Sequence, residues 1–124
     1  MTRYFAKKTE CALGHKHDSK REAERCAELV LLFRAGKIQN LVFQPVYEFV
    51  IEGVLVTMLN GHPARYTSDF AYTENGKVVW EEVKPPKKRD KKGRLVRFGE
   101  SRDVPLRLAF FRHLNPDIEL RIVT

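Results

Sequence analysis

Apolar residues fall at helical spacing in two stretches of this chain, and between those stretches they alternate or bunch as strands do. The first periodic stretch follows Asp18 and Ser19, either of which can cap a helix, and Ser19-x-x-Glu22 fits a capping box. Ala23, Cys26, Val30 and Phe33 would face a core, Lys20, Arg21, Glu24 and Glu28 would point outward, and Gly36 is the expected stop. Strand-forming residues run from Leu41 to Ile51, with Pro45 marking an edge or a bulge. Val54 to Met58 reads as a returning arm through Glu52-Gly53, and Asn60-Gly61 with Pro63 marks a turn. Arg65 to Thr73 and Lys77 to Lys84 then flank Asn75-Gly76, a strong signal for a two-residue hairpin, and Pro85-Pro86 ends the second strand. A second helix starts at Asp103 with Pro105 in its first turn, and its predicted apolar stripe is Leu106, Ala109, Phe110 and Leu114. Asn115-Pro116 stops it, and Ile118, Leu120 and Ile122 alternate as a last strand. Helix, strands, helix and strand predict an α/β domain with a mixed sheet.

Length and composition narrow the class. With 124 residues the chain makes one domain, 1–124, with 1–17 read as an irregular arm and 85–102 as a mobile basic loop. No run of about 18 apolar residues exists, so a membrane span is excluded, and the first residues lack the apolar core of a secretory signal. Two cysteines, Cys11 and Cys26, are too few for a disulfide framework, which points to the cytoplasm and free thiols. His15 and His17 have no further His or Cys at ligand spacing, which argues against structural zinc. The formal net charge is +7, an electrostatic preference for polyanions and above all for nucleic acid.

The Asn75-Gly76 turn fixes a register. If its loop has two residues, Glu74 faces Lys77, Tyr72 faces Val79, Phe70 faces Glu81, and Asp69 lies directly opposite Glu82. Lys84, two residues on, projects from the same face, whereas Glu81 points to the other. Opposed carboxylates gain nothing from a plain sheet, but between them a hard cation such as Mg²⁺ or Mn²⁺ finds oxygen ligands, with the Val83 carbonyl as a further one. Lys84 would then orient the attacking water or balance charge as a phosphodiester is cut. The alternative is an exposed hairpin face on which Lys84 merely bridges an acid, or a bulge that sends Asp69 elsewhere.

Tyr66-Thr67-Ser68-Asp69-Phe70 followed by Glu82-Val83-Lys84 resembles the signature of the PD-(D/E)XK nuclease superfamily, with Ser68 where its motif has proline. The element order is similar to that superfamily's restriction-endonuclease-like αβββαβ core, over nearly the whole chain. Asp18 to Glu24, Gly36-Lys37-Ile38 and Gln44-Pro45 are similar to a phage-encoded group related to archaeal-type Holliday-junction resolvases. The resemblance implies a metal-dependent endodeoxyribonuclease in which Asp69 and Glu82 bind Mg²⁺ or Mn²⁺, Lys84 completes the catalytic centre, and Glu22 approaches the same metal. The competing role for Glu22 is the capping box.

Ser19 is a cap or a phosphate contact near the helix terminus. Gln44, polar among apolar neighbours, either reaches the site or satisfies a backbone group. Lys87, Lys88, Arg89, Lys91, Lys92, Arg94 and Arg97 would neutralise phosphates along DNA, with Arg107 a secondary candidate. A four-way junction has two-fold symmetry, so a resolvase should be a C2 homodimer. The competing functions are another nuclease or nickase of the same fold, and a basic DNA-binding protein without catalysis.

Overall fold

The computed structural model describes residues 9–10, 16–17, 20–84, 88–96 and 103–124. Its elements in chain order are β1 (Thr9–Glu10), β2 (Lys16–His17), α1 (Lys20–Arg34), β3 (Gln39–Phe43), β4 (Val46–Glu48), β5 (Val50–Ile51) and β6 (Val54–Leu55). They continue with β7 (Arg65–Thr67), β8 (Phe70–Glu74), β9 (Lys77–Val83), β10 (Lys88–Arg89), β11 (Leu95–Val96), α2 (Val104–Leu114) and β12 (Glu119–Val123). The result is an α/β arrangement around a four-stranded mixed sheet of order β12-β9-β8-β3. Its β3-β8-β9 part is antiparallel, and β12 joins β9 in parallel after the α2 crossover.

Helix α1 ends as Gly36 allows. The glycine takes a left-handed φ of 76°, its N–H bonds the Phe33 carbonyl at 3.1 Å, and the Lys37 N–H reaches back to Leu32 at 2.9 Å. The proposed caps Asp18 and Ser19 lie outside the described residues. Ala23, Cys26, Leu29 and Val30 are buried, but Phe33, expected inside, is 48% exposed because the helix has already reached the margin of the sheet. This helix covers the sheet face of Phe70, Tyr72 and Val79. Cys26 is buried there as a thiol.

The Asn75-Gly76 turn forms with φ of 51° and 77°, the paired left-handed conformation that matches the twist of two strands. The expected pairs form from Glu74↔Lys77 up to Phe70↔Glu81. There the ladder stops. The single strand expected over Arg65–Thr73 is broken at Ser68-Asp69 into β7 and β8.

The strand expected over Leu41–Ile51 is broken as well. Gln44 has a left-handed φ of 52°, and Pro45 cannot donate to a ladder, so the chain leaves the main sheet after β3. Residues 46–67 form a separate β arm in which β4 pairs with β7 and β5 with β6, the latter through the expected Glu52-Gly53 turn. The inner side of this arm packs Phe49 and Tyr66 against Phe111 of α2, and Trp80 of β9 joins them. The two helices thus cover opposite faces of the sheet. The stripe predicted for α2 is rotated: Phe111 is buried and Leu108 and Leu114 pack beside it, while Leu106 and Phe110 are 60% and 46% exposed. Asp103 gives no side-chain cap; its carboxylate pairs with Arg107 at 2.8 Å.

Candidate active site

Two consecutive glutamates on β9 define the two faces. Glu81 faces α1 and is fully buried, where Arg25 donates to it through Nε at 2.8 Å and Nη2 at 2.6 Å. The Tyr72 hydroxyl donates to the same carboxylate and accepts from Arg121 at 3.1 Å. These bonds, Glu81 first, hold the Arg25 guanidinium more firmly protonated than an ordinary arginine. Burial first, and then Glu81, raise the Tyr72 hydroxyl well above the usual tyrosine range. The pair is a structural lock.

Glu82 faces the other way. Its Oε2 accepts the Tyr66 hydroxyl at 2.6 Å. Burial first, then the charge of Glu82, push the Tyr66 hydroxyl far above its ordinary range, so it remains a protonated donor. Tyr66 is itself fixed by rings, 6.2 Å from Trp80 and 5.0 Å from Phe111 between centroids.

Asp69 is not a ladder partner of Glu82. Its N–H bonds the Glu81 carbonyl at 3.1 Å, and the buried Ser68 hydroxyl donates to that carbonyl too. The Asp69 carbonyl accepts from the Gln44 N–H at 2.9 Å. The chain therefore bends, and the Asp69 carboxylate takes over a backbone position: its Oδ2 accepts the Val83 N–H at 2.7 Å. Asp69 still arrives at the segment Glu82-Val83-Lys84, but by a side-chain-to-backbone bond in place of direct opposition. Within a strand the N–H and C=O of one residue lie on the same edge, so the Val83 carbonyl is on the side of Asp69. Lys84 is buried at 7% exposure, and its N–H bonds the Val123 carbonyl of β12 at 2.8 Å.

Glu22 is buried too, at 5% exposure, in the first turn of α1. That helix packs on the sheet face of Phe70, Tyr72 and Val79. Among the described residues no group of three His, Cys, Asp or Glu side chains is already gathered as a metal site. Gln44 is exposed and contributes its backbone, which holds the Asp69 bend.

A cleft of about 300 Å³ opens beside Glu82, between Arg65, Tyr66 and Thr67 of β7 and Asp103, Val104 and Arg107 at the start of α2. Arg107 is anchored there by its bond to the Arg65 carbonyl at 2.6 Å as well as by Asp103.

The basic segment after Lys84, expected as a loop, contains a hairpin. Asp90 accepts the N–H groups of Lys92 and Arg94, both at 2.9 Å, and Gly93 turns the chain with φ of 80°. The Arg94 backbone bond, first, holds the Asp90 carboxyl below the usual carboxylate range. Lys88, Arg89, Lys91, Lys92 and Arg94 are exposed, with Arg89 tied to the Gly93 carbonyl and Arg94 to Asp90. Ser19, Lys87 and Arg97 lie outside the described residues. The sequence reading missed Tyr66 as the partner of Glu82 and Arg25 as that of Glu81. The strand that carries Tyr66 was visible, but nothing in sequence marks a pairing across 56 residues between Arg25 and Glu81.

A family profile described as protein of unknown function, DUF1064, matches residues 1–112, and the chain belongs to that family. No curated protein and no solved structure matches the chain. Among the described residues no helix is long and apolar enough to cross a membrane.

Proposed function

We propose that this member of the DUF1064 family is a divalent-metal-dependent endodeoxyribonuclease acting on branched DNA, with a four-way junction as its foremost substrate. The observation that carries the reading is the 2.7 Å bond from the Val83 N–H to Asp69, which brings one carboxylate to the backbone between a second carboxylate and a buried lysine. The order α1, β3, β8, β9, α2, β12 and the sheet order β12-β9-β8-β3 support a restriction-endonuclease-like αβββαβ core.

The donor set fits a hard cation: two carboxylates and a carbonyl are what Mg²⁺ takes when it keeps several waters. Asp69, Glu82 and the Val83 carbonyl would hold the ion, which when bound polarises the phosphodiester and lowers the pKa of a water. Tyr66 fixes the orientation of the Glu82 carboxylate, and the Gln44 and Ser68 bonds fix the Asp69 bend. Lys84, held in place by β12, orients the attacking water and offsets charge as the phosphate becomes pentacoordinate. Glu22, buried in the first turn of α1, is the further carboxylate that would approach the same ion. The exposed cations of the β10–β11 hairpin neutralise the backbone of a DNA arm.

Incubation of the purified chain with Mg²⁺ or Mn²⁺ and labelled four-way junction, duplex and single strand tests the reading. Cutting of the junction in preference to duplex, abolished by chelation, is expected. Equal cutting of both removes the junction claim, and folded protein that cuts nothing removes the nuclease.

A further inference from the structure

One wall of the cleft beside Glu82 is strand β7, and that strand turns an unpaired edge toward it. The Ser68 N–H bonds the Pro45 carbonyl at 3.0 Å, and the Ala64 carbonyl accepts the Phe49 N–H at 3.0 Å. Every second residue, Tyr66 opposite Tyr47 included, therefore spends its backbone groups on the β4 side. The backbone groups of Arg65 and Thr67 face the other way, where the Arg65 carbonyl accepts from Arg107 of α2. The Thr67 N–H lies on this same edge, and among the described residues no backbone acceptor meets it.

Two side chains add to that donor. Arg65 and Thr67 are two apart on one strand, project from one face and are both exposed. Glu48 stands directly across from Arg65 in the β4–β7 register, where a sheet ordinarily pairs opposite charges. The Arg65 guanidinium takes neither Glu48 nor any other carboxylate or carbonyl among the described residues. Arg107 is the reverse case, with Nε on Asp103 at 2.8 Å and Nη1 on the Arg65 carbonyl at 2.6 Å. One arginine of the cleft builds its wall, and the other keeps its whole fork of donors to give.

We propose that this cleft holds the DNA phosphate next to the one that is cut, with Arg65 as its main ligand and Thr67 donating beside it. The inference rests on the nuclease reading and adds a binding site to it. A guanidinium fork, a hydroxyl and a backbone N–H are the donors that position nucleic-acid phosphates without reading sequence. The volume of about 300 Å³ lies at the lower end of ligand sites, which suits one nucleotide unit of a strand. The place suits it as well. Tyr66, between the two donors, reaches Glu82 with its hydroxyl at 2.6 Å, so the cleft lies one tyrosine side chain from that carboxylate. A strand held at both ends of one nucleotide presents its scissile bond in a fixed attitude to the acids.

Binding of a labelled four-way junction by the full chain in EDTA tests the inference without cleavage. A methylphosphonate, which carries no charge, is placed singly at each linkage around the branch. One such linkage should weaken binding by about ten-fold. Arg65→Ala and Arg65→Gln should each weaken binding of the unmodified junction to the same extent and lower its salt slope by about 0.9. Variant and modified linkage together should cost no more than either alone, because both remove one contact. Arg34→Ala, an exposed cation at the end of α1, should leave the full penalty of the methylphosphonate in place. Additive losses would overturn the inference, as would Arg65 variants with the wild-type affinity and salt slope, or a penalty that also vanishes in Arg34→Ala. Junction cleavage in Mg²⁺ alongside any of these results would leave the nuclease reading standing. A chain that shows the shared loss and cuts nothing would overturn only the nuclease reading, and one that binds no DNA would overturn both.

Discussion

Glu81 and Glu82 are neighbours in sequence and live in different solvents. Glu81 is sealed under α1 with a guanidinium fork and a tyrosine hydroxyl on its oxygens, so its bonding capacity is spent inside the protein. Glu82 lines a cleft, with a tyrosine holding one oxygen and Asp69 brought alongside by the Val83 amide. The contrast teaches that burial and charge alone do not mark a reactive carboxylate. What separates the two is whether the surrounding groups exhaust the carboxylate or only aim it.

The sharpest way to break this contrast is to unlock the Glu81 side. Arg25→Met leaves a buried carboxylate without its cation and should cost about 3–5 kcal/mol of stability in a denaturant titration. The double variant Arg25→Met/Glu81→Met should recover most of that loss, and failure to recover would show that the pair is more than a lock. On the other face the signature should invert. Asp69→Asn, Glu82→Gln and Lys84→Ala are expected to lower junction cleavage by roughly two to three orders of magnitude, while the melting temperature moves little and junction binding survives. Near-normal turnover in any of them would remove that residue from the site.

A smaller effect concerns the tyrosines that serve the two glutamates. Burial first, then the adjacent carboxylate, raises both hydroxyls above the ordinary value near 10. Past about pH 10 the unfolded chain releases these protons and the folded chain keeps them, so stability should be full below that pH and decline above it. Tyr66→Phe and Tyr72→Phe should each flatten the decline in melting curves taken from pH 8 to 11. Smallest of all is the basic hairpin. Alanine at Lys88, Lys91 and Lys92 should leave stability within about 0.5 kcal/mol and reduce the salt slope of DNA binding by about 0.9 for each phosphate no longer neutralised. An unaltered slope would place the DNA elsewhere.

Local chemistry was legible in the sequence and tertiary competition was not. Asn75-Gly76 imposes its turn whatever surrounds it, so five pairs of the hairpin could be counted off from it. The sixth could not, because the Asp69 N–H turns onto the Glu81 carbonyl beside the Ser68 hydroxyl, while the Asp69 carbonyl takes the N–H of Gln44, whose left-handed turn before Pro45 arises far away in sequence. The same bend that spoiled the pairing kept Asp69 within reach of Val83, so the expected neighbourhood arose by another bond. Helix α2 defeated a periodic reading because apolar residues surround it, and periodicity cannot rank two faces that are both apolar. In the basic stretch the charge run drew attention away from Asp90 and Gly93, a turn signal as plain as the others.

The parallel strand β12 has a consequence for the order of assembly. Lys84 owes its backbone anchor to Val123, a partner that follows β8, β9 and both helices in the chain. During translation the outer edge of β9 must wait, unpaired, until residues 119–123 clear the ribosome. The backbone of Lys84 is thus anchored only once β12 has docked, after the strands that carry Asp69 and Glu82 can already pair.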